Sequence, residues 1–374
     1  MSWVPISEDC DFPIDNLPLG VFSTPSTAPR IGIAIGEHII DCHALTRDGL
    51  LDGAYQLGSA STINPHLELG ASAWAACRES MHLAFEVGDY TDFYCSREHA
   101  VNVGTMFRGA DKALMDNCSE VRRPWGQVAR PDSGEAPRLI PTGQLDFELE
   151  LGFVYGGPAN EIGSPIAIGD ARSRIFGACL VNDWSARDVQ PWEYRPLGPF
   201  TAKNFLTSLS PWVVPLTALD AARCPLPPLQ PGAHPVLPYL ELGDVRESAA
   251  LDISLEVSIG RDDWRTIVSR SNAKWLYWSA EQMIAHHTVS GCQLRPGDLL
   301  ASGTISGATE GSQGSMLELT RRGEKPIAME DGTIRRWLED DDVVVFRGTA
   351  MGNSGRRLGF GECVGRVISA ALRS

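Results

Sequence analysis

The stretch Leu145–Phe153, which reads LDFELELGF, alternates apolar and acidic residues without a break. Side chains of a β-strand alternate between its two faces, so Asp146, Glu148 and Glu150 would share one face at steps of about 6.8 Å. Two unit charges at that spacing repel by roughly 2.4 kcal/mol at an effective dielectric near 20, and by little in open water. The pattern therefore favours either a half-buried strand with a solvated acidic face or an oxygen-rich site for a hard divalent cation.

Length and composition limit the classes of protein to which the chain can belong. Its 374 residues, 43% of them hydrophobic, suffice for one large domain or two ordinary ones. A net charge of -15 and a pI near 5.0 argue against a nucleic-acid partner. The first residues lack the basic and apolar regions of a secretory signal, and no stretch is apolar enough to span a bilayer, so we expect a cytosolic protein without membrane partners. The nine cysteines form no CxxC pair and are expected to be free thiols.

The order of apolar patterns along the chain predicts the fold class. Residues 17–45 alternate around a turn at Gly36 and indicate a small β-rich unit. Helical spacing then continues to Val87, so this unit is expected to end near residue 88. Strand-like runs recur after it, with few helices, one of which, SAEQMIAHHTV, is expected to stop at Gly291. We therefore predict a mostly β protein with some α, containing a mixed β-sandwich or roll rather than a doubly wound parallel sheet.

A second segment with chemical potential is GDYTDFYCSREHAVNVGTMFRG, residues 88–109. It carries an acid, a phenol, an imidazole and a guanidinium: Asp92, Tyr94, His99 and Arg108. A polar loop would explain each of them singly. By residue type His99 is the candidate general base, because imidazole titrates nearest to neutral pH.

A third segment, residues 181–212, is the densest in polar and aromatic side chains. Asp183 follows the apolar run IFGACLV after one intervening residue, which places it at the end of a predicted buried strand, a common position for a metal ligand. The tryptophans of this segment are expected to wall a pocket.

The fourth segment is LLASGTISGATEGSQGSMLELT, residues 299–320. Its glycines and hydroxyls could cradle an anion, but it lacks the pattern of a nucleotide-binding loop, and a mobile surface loop is the simpler expectation. Glu318 is expected on the strand that follows, from which it could orient a histidine.

Taken together, these segments resemble the fumarylacetoacetase family almost from end to end. The resemblance is carried by FPIDNLPLGVFST, GDYTDFYCSREHAVNVGTMFRG, LDFELELGF, VNDWSARDVQPWEYRPLGPFTAKNF, SPWVVP and LRPGDLLASGTISG. It implies a small SH3-like N-terminal β domain (residues 1–88) and a mixed β-sandwich roll that forms the catalytic domain (residues 89–374). It also implies assembly as a cytosolic homodimer.

Position by position, the resemblance implies three groups of site residues. The implied ligands of a Ca²⁺ or Mg²⁺ ion are Asp92, Glu148, Glu150 and Asp183, with Lys203 and Thr207 next to the metal. The implied catalytic residues are His99, its partner Glu318, and the anion-stabilising Arg187, Gln190 and Lys203. The implied substrate contacts are Tyr94, Arg108, Gln190, Tyr194 and Thr304. Asp146 is left without a role.

The implied reaction is the hydrolysis of a carbon-carbon bond in 4-fumarylacetoacetate to fumarate and acetoacetate, the last step of tyrosine and phenylalanine catabolism. Three alternatives stay open on the sequence: a hydrolase of another diketo acid such as an acylpyruvate, a catalytically impaired or vestigial homologue that retains the fold and the cation, and an enzyme with Cys95 as nucleophile.

The sequence departs from the family pattern in two places. A family loop with a Tyr-His-Gly-Arg turn has no counterpart after Asn117, and a helical stretch is shortened near Ser80 and Met81. The tyrosine of the absent loop contacts substrate in the family, so its loss implies weaker substrate binding.

Overall fold

The structure of the protein is a computed structural model. It describes residues 6–7, 9–24, 27–58, 60–74, 90–92, 119–128, 134, 136–196, 198–229, 234–261 and 264–371. The described part consists mainly of two packed β-sheets and a smaller β unit at the N-terminal end.

The N-terminal unit is a three-stranded antiparallel sheet formed by Leu19–Thr24, Thr27–Ile35 and His38–Asp41. The last two strands are joined by the predicted turn, in which Gly36 has a φ of 59°, a conformation that glycine adopts at little cost. The sheet is followed by the helices Cys42–Arg47 and Asn64–Glu68 and the 3₁₀ turn Gly53–Tyr55.

The six-stranded sheet, called the site sheet below, is the centre of the molecule. Its long strands Leu149–Tyr155 and Ile175–Asp183 run antiparallel and side by side. On the outer side of Ile175–Asp183 lie two short strands, Thr207–Leu209 and Val214–Pro215. On the outer side of Leu149–Tyr155 lies Leu299–Ala301, and beyond it Tyr90–Asp92. Only the pairing of Leu299–Ala301 with Tyr90–Asp92 is parallel within the described sheet.

A five-stranded sheet packs against one face of the site sheet. Its strands, in spatial order, are Trp264–Asn272, Ser254–Arg261, Val343–Met351, Arg357–Ile368 and Ser119–Arg122. Phe147 and Phe346 meet edge to face between the two sheets, with ring centroids 5.7 Å apart. Such aromatic contacts add about 0.5 to 1.5 kcal/mol to the burial of apolar area.

The remaining elements are short and lie around the two sheets. Four two-stranded ribbons pair Leu145–Asp146 with Ser185–Ala186, Trp125–Val128 with Arg138–Pro141, Arg223–Cys224 with Ala250–Leu251, and Ile327–Ala328 with Ile334–Arg335. The helices are Ile168–Ala171, Gln190–Glu193, Ala280–Thr288 and Met316–Leu319, and the 3₁₀ turns are Arg172–Arg174, Leu216–Ala222, Pro238–Leu240, Gly243–Ser248 and Ala273–Trp275. The predicted glycine stop of the helix Ala280–Thr288 is confirmed, because Gly291 has a φ of 85°.

The site sheet is buried on both faces. Leu151 and Leu180 pack into the core shared with the five-stranded sheet, whereas Val154 and Val181 pack with Ile33 of the N-terminal unit. Leu19 of the N-terminal unit and Val213 exchange two backbone hydrogen bonds, of 2.9 and 2.8 Å. These bonds join the unit to the chain just before the strand Val214–Pro215 of the site sheet. Two-sided burial explains why every residue of Ile175–Asp183 is buried.

This architecture confirms the predicted fold class, a mostly β protein with an N-terminal β unit and a mixed β-sandwich. The predicted domain boundary near residue 88 lies outside the described residues and stays a prediction. Among the helices of the described ranges, none is both long and apolar enough to cross a membrane.

Three local expectations were wrong. The acidic stretch is not half-buried: residues 145–151 are all buried, and its strand is interrupted at Phe147. Glu318 lies on the helix Met316–Leu319 and not on a strand, because Ser315 caps the first turn of this helix. Residues 299–320 are not simply a surface loop, since Ser302–Ser306 are buried inside the molecule.

One buried histidine links the N-terminal unit to the site sheet. His66 is 1% exposed, its Nδ1 lies 2.9 Å from the carbonyl oxygen of Tyr55, and its ring meets Phe176 edge to face. Burial lowers the pKa of His66 from 6.5 to about 4. The unfolded chain therefore takes up a proton at a pH where the folded chain does not, so this residue makes the folded state less stable as the pH falls from about 7 to 4.

We expect His66→Asn to flatten the pH dependence of the free energy of unfolding between pH 7 and 4, because asparagine can donate to Tyr55 but does not titrate. The contribution of His66 to the acid loss is up to about 3 kcal/mol. Urea unfolding at a series of pH values measures it. His38→Asn, which alters an exposed imidazole of the N-terminal sheet, is the control, and equal slopes for wild type and His66→Asn would contradict the prediction.

Candidate metal centre and active site

The register of the site sheet brings three acids together at one end. The amide N–H of Asp183 donates to the carbonyl oxygen of Glu148 at 3.0 Å, and Val181 lies opposite Glu150. Directly opposed residues of antiparallel strands have Cβ atoms about 4.5 to 5.5 Å apart. One carboxylate oxygen from each of Glu148, Glu150 and Asp183 lies within 4.8 Å of the others.

The donor set of this acidic cluster fits a hard divalent cation. All three side chains are 0% exposed, and carboxylate oxygens are the ligands that Ca²⁺ and Mg²⁺ prefer. Asp183 Oδ1 is buried without a hydrogen-bond partner in the described part of the chain. Leaving a buried carboxylate oxygen unsatisfied costs about 1 to 3 kcal/mol or more, so the atom favours a ligand that the described residues do not supply.

Two buried cations lie among these acids. Lys203 Nζ contacts Glu148 Oε2 at 2.9 Å and Asp183 Oδ2 at 2.5 Å. Arg187 contacts Glu148 Oε1 through Nη2 at 2.6 Å, and its Nη1 donates to Gln190 Oε1 at 3.2 Å. These ion pairs reduce the repulsion that three adjacent carboxylates would otherwise suffer.

The charges of the site do not cancel within the described residues. Asp146, Glu148, Glu150 and Asp183 supply four negative charges, and Arg187 and Lys203 supply two positive charges, all on side chains no more than 1% exposed. Uncompensated buried charge costs several kcal/mol for each ion. Among these six residues the formal excess is two negative charges, and the buried carboxyl of Glu318 lies beside them, so the site favours a cation.

Asp146 belongs to the same network although it is outside the three-acid cluster. Its Oδ2 accepts from Arg187 Nε at 2.8 Å and from the N–H of Leu317 at 2.9 Å, and its Oδ1 accepts from the N–H of Met316 at 2.6 Å. Burial raises the pKa of the Asp146 carboxyl, and the guanidinium of Arg187 opposes this rise.

Glu318 is held on the adjoining side of the site by two serines. Its Oε2 accepts from the hydroxyls of Ser306 at 2.8 Å and Ser315 at 3.0 Å. The segment that supplies Ser306 also reaches the acidic cluster, because the N–H of Gly303 donates to Glu150 Oε2 at 3.1 Å. Thr304, next in the chain, has a buried hydroxyl without a partner among the residues described here.

The structure thus brings together many of the residues implied by the resemblance. Within one connected network lie Glu148, Glu150, Asp183, Arg187, Gln190 and Lys203. Thr207 is the strand neighbour of Asp183 on the side away from Glu148. Tyr194 is half-buried, and the guanidinium of Arg195 stacks on its ring.

The remaining predicted residues lie outside what the structure describes. These are Tyr94, His99 and Arg108, together with Cys95 of the alternative mechanism. For Asp92 the structure describes the backbone: it pairs with Ala301, which in turn pairs with Gly152, two residues beyond Glu150. This register places Asp92 at the end of the site sheet that carries the acids.

Sequence reasoning missed one residue that organises the site. Both oxygens of Glu193 accept hydrogen bonds from the turn before Lys203, namely from the N–H groups of Phe200, Thr201 and Ala202. Glu193 therefore fixes the turn that carries Lys203. Nothing in the sequence indicated that Glu193 would cap this turn.

Comparison with known protein families gives two matches that together span nearly the whole chain. Residues 15–104 match the fumarylacetoacetase N-terminal family and residues 89–368 match the fumarylacetoacetate hydrolase C-terminal family. The mouse fumarylacetoacetase is 43% identical over 426 aligned positions, which cover 99% of each chain, and the human fumarylacetoacetase is 42% identical over 430 positions, which cover all of both chains.

The alignment with the mouse protein also bears on the two departures from the family pattern. It has 426 positions, 52 more than the 374 residues of this chain, so at least 52 residues of the mouse protein have no counterpart here. These gaps lie inside the alignment, and their location near residues 80 and 117 stays a prediction.

Among solved structures, the fumarylacetoacetate hydrolase of Exiguobacterium antarcticum superposes with a TM-score of 0.51 at 15% sequence identity, covering 94% of this chain and 99% of the other. This likeness supports the fold alone. The two family matches and the full-length relatives carry the assignment: the chain belongs to the fumarylacetoacetate hydrolase family.

Proposed function

We propose that this hydrolase of carbon-carbon bonds acts on 4-fumarylacetoacetate and releases fumarate and acetoacetate. The observation that carries the proposal is the buried cluster of three carboxylates, in which Asp183 Oδ1 has no partner among the described residues, found in a chain 42 to 43% identical to the mouse and human fumarylacetoacetases. The reaction would close tyrosine and phenylalanine catabolism, and we place the protein in the cytosol as a homodimer.

The cation in this proposal is Ca²⁺ or Mg²⁺. Glu148, Glu150 and Asp183 would hold it together with Asp92, which the strand register supports, and Lys203 and Thr207 would lie beside it. When bound, such an ion supplies Lewis-acid stabilisation of negative charge on the substrate's oxygens.

The proton transfer in this proposal belongs to His99. Its imidazole would take a proton from a water molecule as the water oxygen bonds to a carbonyl carbon of the diketone. Collapse of the resulting alkoxide would break the carbon-carbon bond to the neighbouring carbon and release fumarate, and the departing acetoacetate enolate would take the proton back from the imidazolium. Glu318 would orient that imidazole, as carboxylates do for catalytic histidines. The two serine hydroxyls on Glu318 Oε2 support this role, because they hold the carboxylate in one orientation.

The negative charge that develops on the attacked oxygen would face Arg187, Gln190 and Lys203. Preorganised donors of this kind are each worth about 2.7 to 4 kcal/mol in a site that excludes water. The hydrogen bond from Arg187 to Gln190 Oε1 turns the amide nitrogen of Gln190 away from the guanidinium, so that the nitrogen can donate elsewhere.

The proposed substrate contacts are Tyr94, Arg108, Gln190, Tyr194 and Thr304. The substrate carries two carboxylates, and a cationic residue such as Arg108 in an otherwise acidic protein suits such an anion. Thr304 supports the assignment because its buried hydroxyl has no hydrogen-bond partner in the ranges that the structure describes.

We expect Ca²⁺ or Mg²⁺ to raise the melting temperature of the wild type and Asp183→Asn to abolish this rise. A ligand at 100 times its dissociation constant stabilises the folded state by about 2.7 kcal/mol, and Asp183→Asn should weaken cation affinity by at least about 100-fold. Scanning calorimetry with and without the ion measures the melting temperature, and calorimetric titration of metal-free protein measures the affinity. Asp342→Asn, which removes another fully buried, ion-paired carboxylate outside the cluster, is the control. An unaltered affinity in Asp183→Asn would exclude the cluster as the metal site.

We expect the wild type to hydrolyse fumarylacetoacetate faster than an acylpyruvate. The loss of diketone absorbance measures this turnover. Arg187→Lys should lower kcat by roughly 100-fold, since lysine cannot reproduce the fork of the guanidinium. Arg335→Lys is the matched control, because Arg335 is an equally buried arginine that pairs with Asp342 at 2.8 Å. Cation binding without turnover of either substrate would overturn the proposed function.

The proposed homodimer is tested by light scattering on purified protein. A mass near 81 kDa, about twice the 40.6 kDa of the chain, is expected. A mass near that of one chain would contradict it.

A further inference from the structure

We infer that Asp146 is a positioning residue that fixes Arg187 and the turn carrying Glu318 in one arrangement. The inference rests on the proposed function, in which Arg187 stabilises the attacked oxygen and Glu318 orients the base. Neither the cation ligands nor the substrate contacts include Asp146, so the third carboxylate of the alternating stretch needs a separate explanation.

The contacts of Asp146 connect two parts of the site that are far apart in the chain. Arg187 follows the strand Ile175–Asp183, whereas Met316 and Leu317 begin the short helix that carries Glu318. One carboxylate accepts from all three residues at 2.6 to 2.9 Å. A displacement of Asp146 would therefore move the anion donor and the helix of Glu318 together.

The chemistry of these contacts requires an ionised carboxylate. Oδ1 and Oδ2 both face N–H donors, and Oδ2 faces two of them. An aspartate accepts at both oxygens, whereas an asparagine carries a donor in place of one of them. Asp146→Asn would thus set an N–H₂ group against at least one backbone or guanidinium N–H inside a fully buried site.

Asp146 also determines which acids the guanidinium of Arg187 contacts. The guanidinium contacts Asp146 through Nε at 2.8 Å and the cluster residue Glu148 through Nη2 at 2.6 Å. Without the first contact, Glu148 is the remaining acidic partner of Arg187 within the described residues. The guanidinium would then move toward the cation ligands and away from the position that the proposed reaction needs.

The test compares the kinetics of wild type and Asp146→Asn on fumarylacetoacetate at saturating cation. We expect kcat to fall by about 10- to 100-fold with KM within threefold, because small displacements of catalytic groups can cost up to about 100-fold. Asp146→Glu, which keeps the charge and every acceptor, should fold and lose about tenfold in kcat, since the extra methylene displaces both partners.

The control for simple loss of stability is Asp342→Asn. Asp342 is equally buried, accepts from the guanidinium of Arg335 at 2.8 and 3.0 Å and from the N–H of Glu339 at 2.8 Å, and so has the same kind of contacts. Both variants should lower the melting temperature, but only Asp146→Asn should lower kcat.

A double variant separates positioning from a general structural role. Residues that act as one unit show non-additive effects, so Asp146→Asn combined with Arg187→Lys should lose much less in kcat than the product of the two single losses. Wild-type kcat in Asp146→Asn or Asp146→Glu, or losses that multiply, would overturn the inference. An inactive wild type would instead overturn the proposed function, on which the inference depends.

Discussion

The structure depends on acidic and basic side chains that are buried together at one end of a sheet covered on both faces. Six ionisable side chains, four acidic and two basic, meet at the end of the strands Leu149–Tyr155 and Ile175–Asp183 among the residues described. Ion pairs inside a protein are tolerated only with close partners and satisfied hydrogen bonds. Close partners are supplied by Lys203 and Arg187, and hydrogen bonds come from the helix Met316–Leu319 and from two serines. A divalent cation would compensate the negative charge that remains.

The fold shields these side chains from water. The five-stranded sheet covers one face of the site sheet and the N-terminal unit covers the other, so the acids at its end have little access to bulk water. By strand alternation Glu150 lies on the same face as Val154, and Asp183 on the same face as Val181, which is the face that packs against the N-terminal unit. The small unit therefore contributes to the electrostatics of the site by excluding solvent, without lending an acid to the described cluster.

Much of this arrangement could be predicted from the sequence, and the exceptions have physical causes. Alternation grouped Glu148 and Glu150 correctly, although Asp146 lies outside the cluster that they form, and the apolar run before Asp183 placed it at the end of a buried strand. Burial of the acidic face could not be predicted, because a solvated face and a metal-binding face have the same alternation. The helix Met316–Leu319 was missed although Ser315 caps it locally, because four residues are too few to show a helical period. Its other acceptor, Asp146, lies 170 residues earlier in the chain, and so distant a contact leaves no local pattern.

The bridge that Lys203 forms between Glu148 and Asp183 has a consequence for the charge balance of the site. Its ammonium group is an internal counterion that offsets part of the repulsion between the two carboxylates, so the folded chain does not depend on a bound ion for all of the charge compensation at this site.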